Sequence, residues 1–265
     1  MAQGNLHIRE QGKGKGTGAQ IPLVLLHGYP FDGSAWKEQL DGLGGEMWVV
    51  APDMPGFGAS APLPSPKEAH VDQYADALAE WAASEGIEKM ALAGHSMGGY
   101  VAFAFFRRHP DLLQSLILVA TRPGPDNEAG REGRYKTAAA VEEKGAVAAA
   151  DAMLPKLFAP DAYEEKKELV EDVRNLMLRQ SKEGIISALY AMASRPDSTP
   201  DLGRIRIPTL ILSGAEDAIM PATEAITMHE HIKGSQAVSI EGAGHMLMLE
   251  NAPDFNRALQ EFLRR

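Results

Sequence analysis

A serine between glycines, Gly94-His95-Ser96-Met97-Gly98, sits where a short apolar run (residues 89–93) gives way to a helical pattern (residues 97–108). A G-x-S-x-G pentapeptide at a strand-to-helix junction describes a turn so tight that a side chain at Gly94 or Gly98 would crowd the backbone. The turn lifts the hydroxyl clear of the sheet and nominates Ser96 as a nucleophile. The helix that opens at the next residue offers free backbone N–H groups and the positive end of its dipole, both suited to an oxyanion. Such a unit requires a sheet with a helix packed on it.

The rest of the chain supplies that sheet. Residues 23–26 and 48–51 are short, continuous apolar runs of the kind expected for strands covered on both faces, and residues 90–93, 116–120, 209–212 and 237–240 repeat the pattern. Helical stretches alternate with them at residues 34–43, 71–85, 98–108, 222–232 and 252–264. Alternation of this kind predicts an α/β fold with a mostly parallel central sheet flanked by helices. Residues 6–9 read as a short first strand, and the alternating glycines of residues 12–18 as a hairpin turn or mobile loop. That loop lacks the spacing and the strand-to-helix position of a phosphate-binding loop.

The rhythm breaks between Arg122 and Arg206, where a Pro/Gly-rich stretch leads into Ala- and Glu-rich helical sequence. The expected division is a core domain of residues 1–121 and 207–265, with a helical cap of residues 122–206 inserted after the strand near residues 116–120. Leu169, Val173, Leu176 and Met177 recur at helical spacing, and Met153, Leu154, Leu157 and Phe158 form a second apolar group. Packing on the body is the commoner role for such residues; lining a pocket is the rarer one.

Bulk properties limit the function. The chain has 265 residues, 45% of them hydrophobic, enough for a large core without disulfides or a structural metal. Its net charge of −10 opposes general affinity for nucleic acid or anionic membranes, so a small molecule is the expected partner. The absence of cysteine excludes thiol nucleophiles and thiolate metal sites. No cofactor and no metal is expected. Residues 1–20 contain no apolar signal core, and no later segment approaches the roughly 18 apolar residues of a membrane span, which makes a cytoplasmic location the default expectation.

A serine hydroxyl needs a histidine base, and the histidine needs a carboxylate to orient it. Ser213-Gly214-Ala215-Glu216-Asp217 follows one apolar strand and Gly242-Ala243-Gly244-His245 follows another, so Ser96, Asp217 and His245 all emerge at the carboxyl edge of the sheet. Other motifs in the chain lack the context their chemistry needs. The run Gly56-Phe57-Gly58-Ala59-Ser60-Ala61 has dinucleotide-site spacing, but Pro62 and Pro64 prevent a helix from following it. His229 and His231 are two apart on a helix and do not share a face. Arg107, Arg108 and His109 compensate a helix C-terminus.

In the chain order Ser96, Asp217, His245 the protein resembles the α/β-hydrolase superfamily over nearly its whole length. His27-Gly28-Tyr29-Pro30 is similar to that superfamily's H-G-x-P oxyanion turn, and residues 52–60 to its D-x-x-G-x-G-x-S loop. The resemblance implies an oxyanion hole built from the backbone N–H groups of Tyr29 and Met97. It implies structural roles for His27, Gly28, Pro30, Gly94, His95 and Gly98, with His27 stabilising the turn and not serving as a second base. The family's G-x-x-D spacing from Gly214 favours Asp217 over Glu216 as the orienting acid.

A serine where epoxide hydrolases and haloalkane dehalogenases carry aspartate disfavours their reactions. The expected activity is that of a serine carboxylic-ester hydrolase, or carboxylesterase, forming an acyl-enzyme on small to medium esters. The run from His27 to Trp36 is also similar to cofactor-free haloperoxidases and aryl esterases with perhydrolase activity, which adds peroxide as a second nucleophile. Lactonases and carbon–carbon bond hydrolases share the Ser-Asp-His order and stand as the alternative. A carboxylate-bearing lactone would require a convergent cation, for which Arg122, Arg131, Arg134 and Arg195 are available, although arginines are more often simply on the surface. A ligand-binding receptor of the same fold is the reading from another class.

Overall fold

The computed structural model describes residues 6–14 and 21–264. Its strands are β1 (Ile8–Gln11), β2 (Leu23–Leu26), β3 (Val49–Pro52), β4 (Met90–His95), β5 (Leu113–Val119), β6 (Thr209–Gly214) and β7 (Gln236–Ile240), forming one sheet in the order β1-β3-β2-β4-β5-β6-β7. All neighbours run parallel except β1, which pairs antiparallel with β3. Beyond Gly14 the expected glycine-rich loop lies outside the described residues.

Between β1 and β6 lie α1 (Lys37–Leu43), α2 (Val71–Ser84), α3 (Met97–Arg108), and then a helical run between β5 and β6: α4 (Glu128–Lys144), α5 (Ala146–Met153), α6 (Ala162–Glu165), α7 (Lys167–Leu178), α8 (Lys182–Ala193) and α9 (Thr199–Leu202). After β6 come α10 (Ala222–His231), α11 (Leu247–Glu250) and α12 (Ala252–Leu263). The first predicted helix begins instead as a 3-10 turn, Gly33–Trp36, because the Asp32 side chain accepts from Ser34 N–H and winds the entry tightly.

Alternation along each strand splits the core into two layers. Val24, Leu26, Val50, Leu92, Leu116 and Leu118 face Tyr74 and Leu78 of α2 and Val101 and Phe105 of α3. Leu23, Leu25, Val49, Ala93, Ile117 and Leu212 face the other way, onto Leu40 and Leu43 of α1 and Phe255 and Leu259 of α12. Covering both faces explains why the central strands read as unbroken apolar runs. β7 departs from that expectation: Ala237, Val238 and Ser239 are exposed, because this strand has only β6 as a neighbour and forms the edge of the sheet. Among the described residues no helix is long and apolar enough to cross a membrane.

The charged C-terminus of α3 is consumed in the fold. Arg107 donates to Ser198 and Asp201, while Arg108 and His109 both meet Asp76 of α2. Asp53 at the end of β3 anchors the following loop, accepting from Gly33 N–H at 2.8 Å and Ala59 N–H at 3.0 Å and pairing with Arg9.

Candidate active site

Ser96 occupies the junction of β4 and α3 with φ 52° and ψ −111°, a left-handed backbone that a non-glycine residue adopts only when its surroundings compel it. They do so here. Ser96 N–H donates to Val119 O, and Ser96 O accepts from Gly99 N–H and from the Thr121 hydroxyl at 2.8 Å. A methyl group at Gly94 would stand 2.3 Å from Gly98 O, and one at Gly98 would stand 2.5 Å from Leu26 O, so both glycines are required by close backbone approach. Ser96 itself stays half-buried between fully buried neighbours.

The turn at residues 27–30 lies against this elbow. A methyl group at Gly28 would approach Ser96 Cβ to 3.3 Å and His95 Nδ1 to 2.6 Å. His27 is fully buried; its Nε2 accepts from Met54 N–H, which leaves Nδ1 to donate to Gly28 O at 2.9 Å. Both ring nitrogens are thereby committed to the turn, and burial lowers the pKa of the ring. The Tyr29–Pro30 peptide is cis. Met97 opens α3, where the first N–H groups have no partner within the helix.

Asp217 and His245 meet beyond β6 and β7. His245 Nδ1 lies 2.8 Å from Asp217 Oδ2, with both side chains almost wholly withdrawn from solvent. The other carboxylate oxygen accepts from Ile219 N–H at 2.7 Å and Met220 N–H at 2.9 Å, locking its orientation. Glu216 is exposed and takes no part in this pair. His95 ties the histidine loop to the elbow: its Nε2 donates to His245 O at 2.9 Å, and the two rings are centred 4.8 Å apart. Burial, reinforced by the nearby His245, holds the His95 pKa well below the ordinary histidine value.

Glu250 carries no sequence signal, yet it clasps the same loop. Its carboxylate accepts from Gly244 N–H at 2.9 Å and from Ala159 N–H at 2.8 Å, joining the residue before His245 to the segment ahead of α6. Leu157 O adds a bond from Met246 N–H. Burial raises the Glu250 pKa against the pull of these donors. Glu250→Ala leaves two buried N–H groups without an acceptor, each costing about 1–3 kcal/mol, so the expected loss is about 2–6 kcal/mol. Urea denaturation of the variant reads it directly; an unchanged midpoint would mean that Leu157 and His95 hold the loop unaided.

Of the arginines noted in the sequence, Arg122, Arg134 and Arg195 converge on one carboxylate, Asp126, while Arg131 donates to the backbone carbonyl of the same residue. His229 bonds Ser235 and His231 turns back to Thr227 O, so the two do not converge. Among the described residues, no group of three or more His, Asp or Glu is placed to hold a metal ion.

The parallel sheet thus carries a strained serine at the end of β4, a turn packed against it and a buried Asp–His pair beyond β6 and β7, an arrangement in keeping with an α/β-hydrolase fold. The chain belongs to the α/β-hydrolase fold family, whose model matches residues 21–252. It is similar to a thermophilic esterase from Thermogutta terrifontis, whose structure has malate bound, at 38% identity and TM-score 0.92, over 98% of this chain and 93% of that one. The enol-lactonase of Burkholderia xenovorans LB400 superposes with TM-score 0.89 at 25% identity, over 100% and 98% of the two chains. The dihydrolipoyllysine-residue acetyltransferase component of the acetoin cleaving system of Pseudomonas putida is 30% identical over 92% of this chain, which spans 64% of that longer relative. Together the relatives support a hydrolase acting on ester bonds.

Proposed function

We propose that this protein hydrolyses carboxylic esters through an acyl-enzyme on Ser96, with His245 as general base and acid and Asp217 orienting it. The buried His245–Asp217 contact at 2.8 Å carries the reading, because it fixes a proton on Nδ1 and leaves Nε2 as the acceptor. Ser96 Oγ attacks the ester carbonyl carbon and gives its proton to His245 Nε2. The alcohol leaves with that proton as the C–O bond breaks. Water then adds to the acyl-enzyme, returning a proton through His245, and the free acid departs as the serine hydroxyl is restored. The N–H groups of Tyr29 and Met97 stabilise the oxyanion in both steps, a contribution of about 3–4 kcal/mol per donor in measured enzymes.

The helices between β5 and β6 form the cap over this edge, and Leu157, Phe158 and Ala159 are the cap residues that reach the histidine loop. Lactone opening is the second reading, favoured by the enol-lactonase likeness and served by the same groups, since a lactone is a cyclic ester.

The test is hydrolysis of p-nitrophenyl esters from acetate to palmitate. Turnover that peaks at short or medium acyl length is expected. Failure on every ester and on lactones, with Ser96 inert to a fluorophosphonate, would favour the ligand-binding receptor instead.

A further inference from the structure

The arginine cluster carries more charge than its carboxylate can satisfy. Asp126, with its side chain 3% exposed, accepts from Arg122 at 2.6 Å, from Arg195 at 2.9 Å and from Arg134 at 3.0 Å. Three guanidiniums thus share one carboxylate. Glu224 acts on Arg122 only at longer range, with no ion pair between them among the described residues. The combined charge holds the Asp126 carboxyl well below the usual carboxylate range even though burial opposes this.

A clasp joining α4 to α8 needs one or two arginines. Of the three, Arg195 is buried and also donates to the carbonyls of Met192 and Gly124, while Arg122 and Arg134 keep part of their side chains in solvent; the net positive charge left on the cluster is what a further anion would balance. Free donors point to where it would sit. Arg122 Nε and Arg195 Nε are buried without a hydrogen-bond partner, and so are the hydroxyls of Tyr29 and Tyr100. Three of these donors gather in one cluster, the Nε atoms of the two arginines that share Asp126 and the hydroxyl of Tyr100, on whose ring Arg195 stacks.

The neighbourhood adjoins the candidate nucleophile. Tyr100 lies one helical turn beyond Ser96, and the Arg195 guanidinium stacks on its ring at 4.0 Å. Arg122 follows Thr121, whose hydroxyl holds Ser96 O. Arg134 acts on the phenol of Tyr29, the residue whose N–H is assigned to the oxyanion hole. The two phenols therefore project from the two segments that carry the proposed oxyanion donors.

We propose that Arg134, Arg195 and Arg122, framed by the Tyr29 and Tyr100 hydroxyls, form a carboxylate subsite beside Ser96, so that the ester or lactone cleaved here carries a second, ionised carboxylate. The inference rests on the serine-hydrolase reading and narrows its substrate class to half-esters of dicarboxylic acids and carboxylated lactones. Arginine suits the task because its planar fork meets a carboxylate with two parallel donors.

The test compares monomethyl succinate, an anion at neutral pH, with dimethyl succinate, each rate divided by its alkaline hydrolysis rate. The wild-type protein is expected to favour the half-ester by about tenfold or more, the worth of one hydrogen bond between charged groups. Arg134→Gln lowers that ratio about tenfold. Arg195→Gln risks the fold, because Arg195 is buried against Asp126. Tyr100→Phe removes only a hydroxyl without a partner, and is expected to lower the ratio several-fold in a protein that melts normally. Equal turnover of the two esters, or a preference that survives both variants, overturns the subsite and leaves the hydrolase reading standing. If neither ester is cleaved, calorimetric titration with succinate decides: binding weakened by Arg134→Gln and Tyr100→Phe keeps the subsite and removes the hydrolase reading, and no binding removes both.

Discussion

Replacing Ser96 with alanine is expected to lower kcat/KM for any ester substrate by about 10⁴- to 10⁶-fold, the range seen when a nucleophilic serine is deleted from a triad. The elbow should survive. Its hydrogen bonds run through the backbone of Ser96, to Val119 O, Gly99 N–H and the Thr121 hydroxyl, and alanine keeps all three. The strained φ of 52° costs serine and alanine alike, so the melting temperature should move little. Residual turnover above the uncatalysed rate is expected from Tyr29 and Met97, which would still polarise the carbonyl toward water. Steady-state kinetics with a p-nitrophenyl ester, alongside a thermal melt, separates lost chemistry from lost fold. Retention of a tenth of the activity in a well-folded variant would remove Ser96 as the nucleophile.

Asp217→Asn is expected to cost about 10⁴-fold in kcat, as the equivalent change does in a well-studied protease. The reason lies in the partners of the two carboxylate oxygens. Oδ1 accepts from the N–H groups of Ile219 and Met220, so the asparagine oxygen must stay on that side. Its NH₂ then faces His245 Nδ1, which must become an acceptor, and the ring proton moves to Nε2, where it blocks proton removal from Ser96. The fold changes little, because asparagine has the same shape. Near-normal kcat in this variant would mean that another group orients His245, and would reopen the question of Glu216.

The strand-end placement of Ser96 and Asp217 is legible in the sequence for a simple reason. Each follows a short apolar strand or a glycine turn, and a parallel sheet sends all such strand ends to one edge. The same logic made Gly94 and Gly98 readable, since close backbone approach admits no other residue. The remainder depends on partners far apart in the chain. Glu250 looks like an ordinary acidic residue in a short helix until Ala159, 91 residues earlier, is placed against it. Asp126 lies 69 residues from Arg195, and nothing in either neighbourhood announces the pairing. The exposure of β7 was likewise hidden, because an edge strand and a central strand differ in neighbours and not in local pattern.

The proposed role of Ser96 is that of a nucleophile activated by His245 and Asp217. Intact-mass measurement after exposure to a fluorophosphonate, followed by peptide mapping, addresses it without knowledge of the substrate. A single phosphonyl adduct on Ser96, lost in Ser96→Ala and greatly slowed in Asp217→Asn, is the result the structure predicts. An unmodified Ser96 in folded protein, or an adduct formed equally fast in Asp217→Asn, would contradict it.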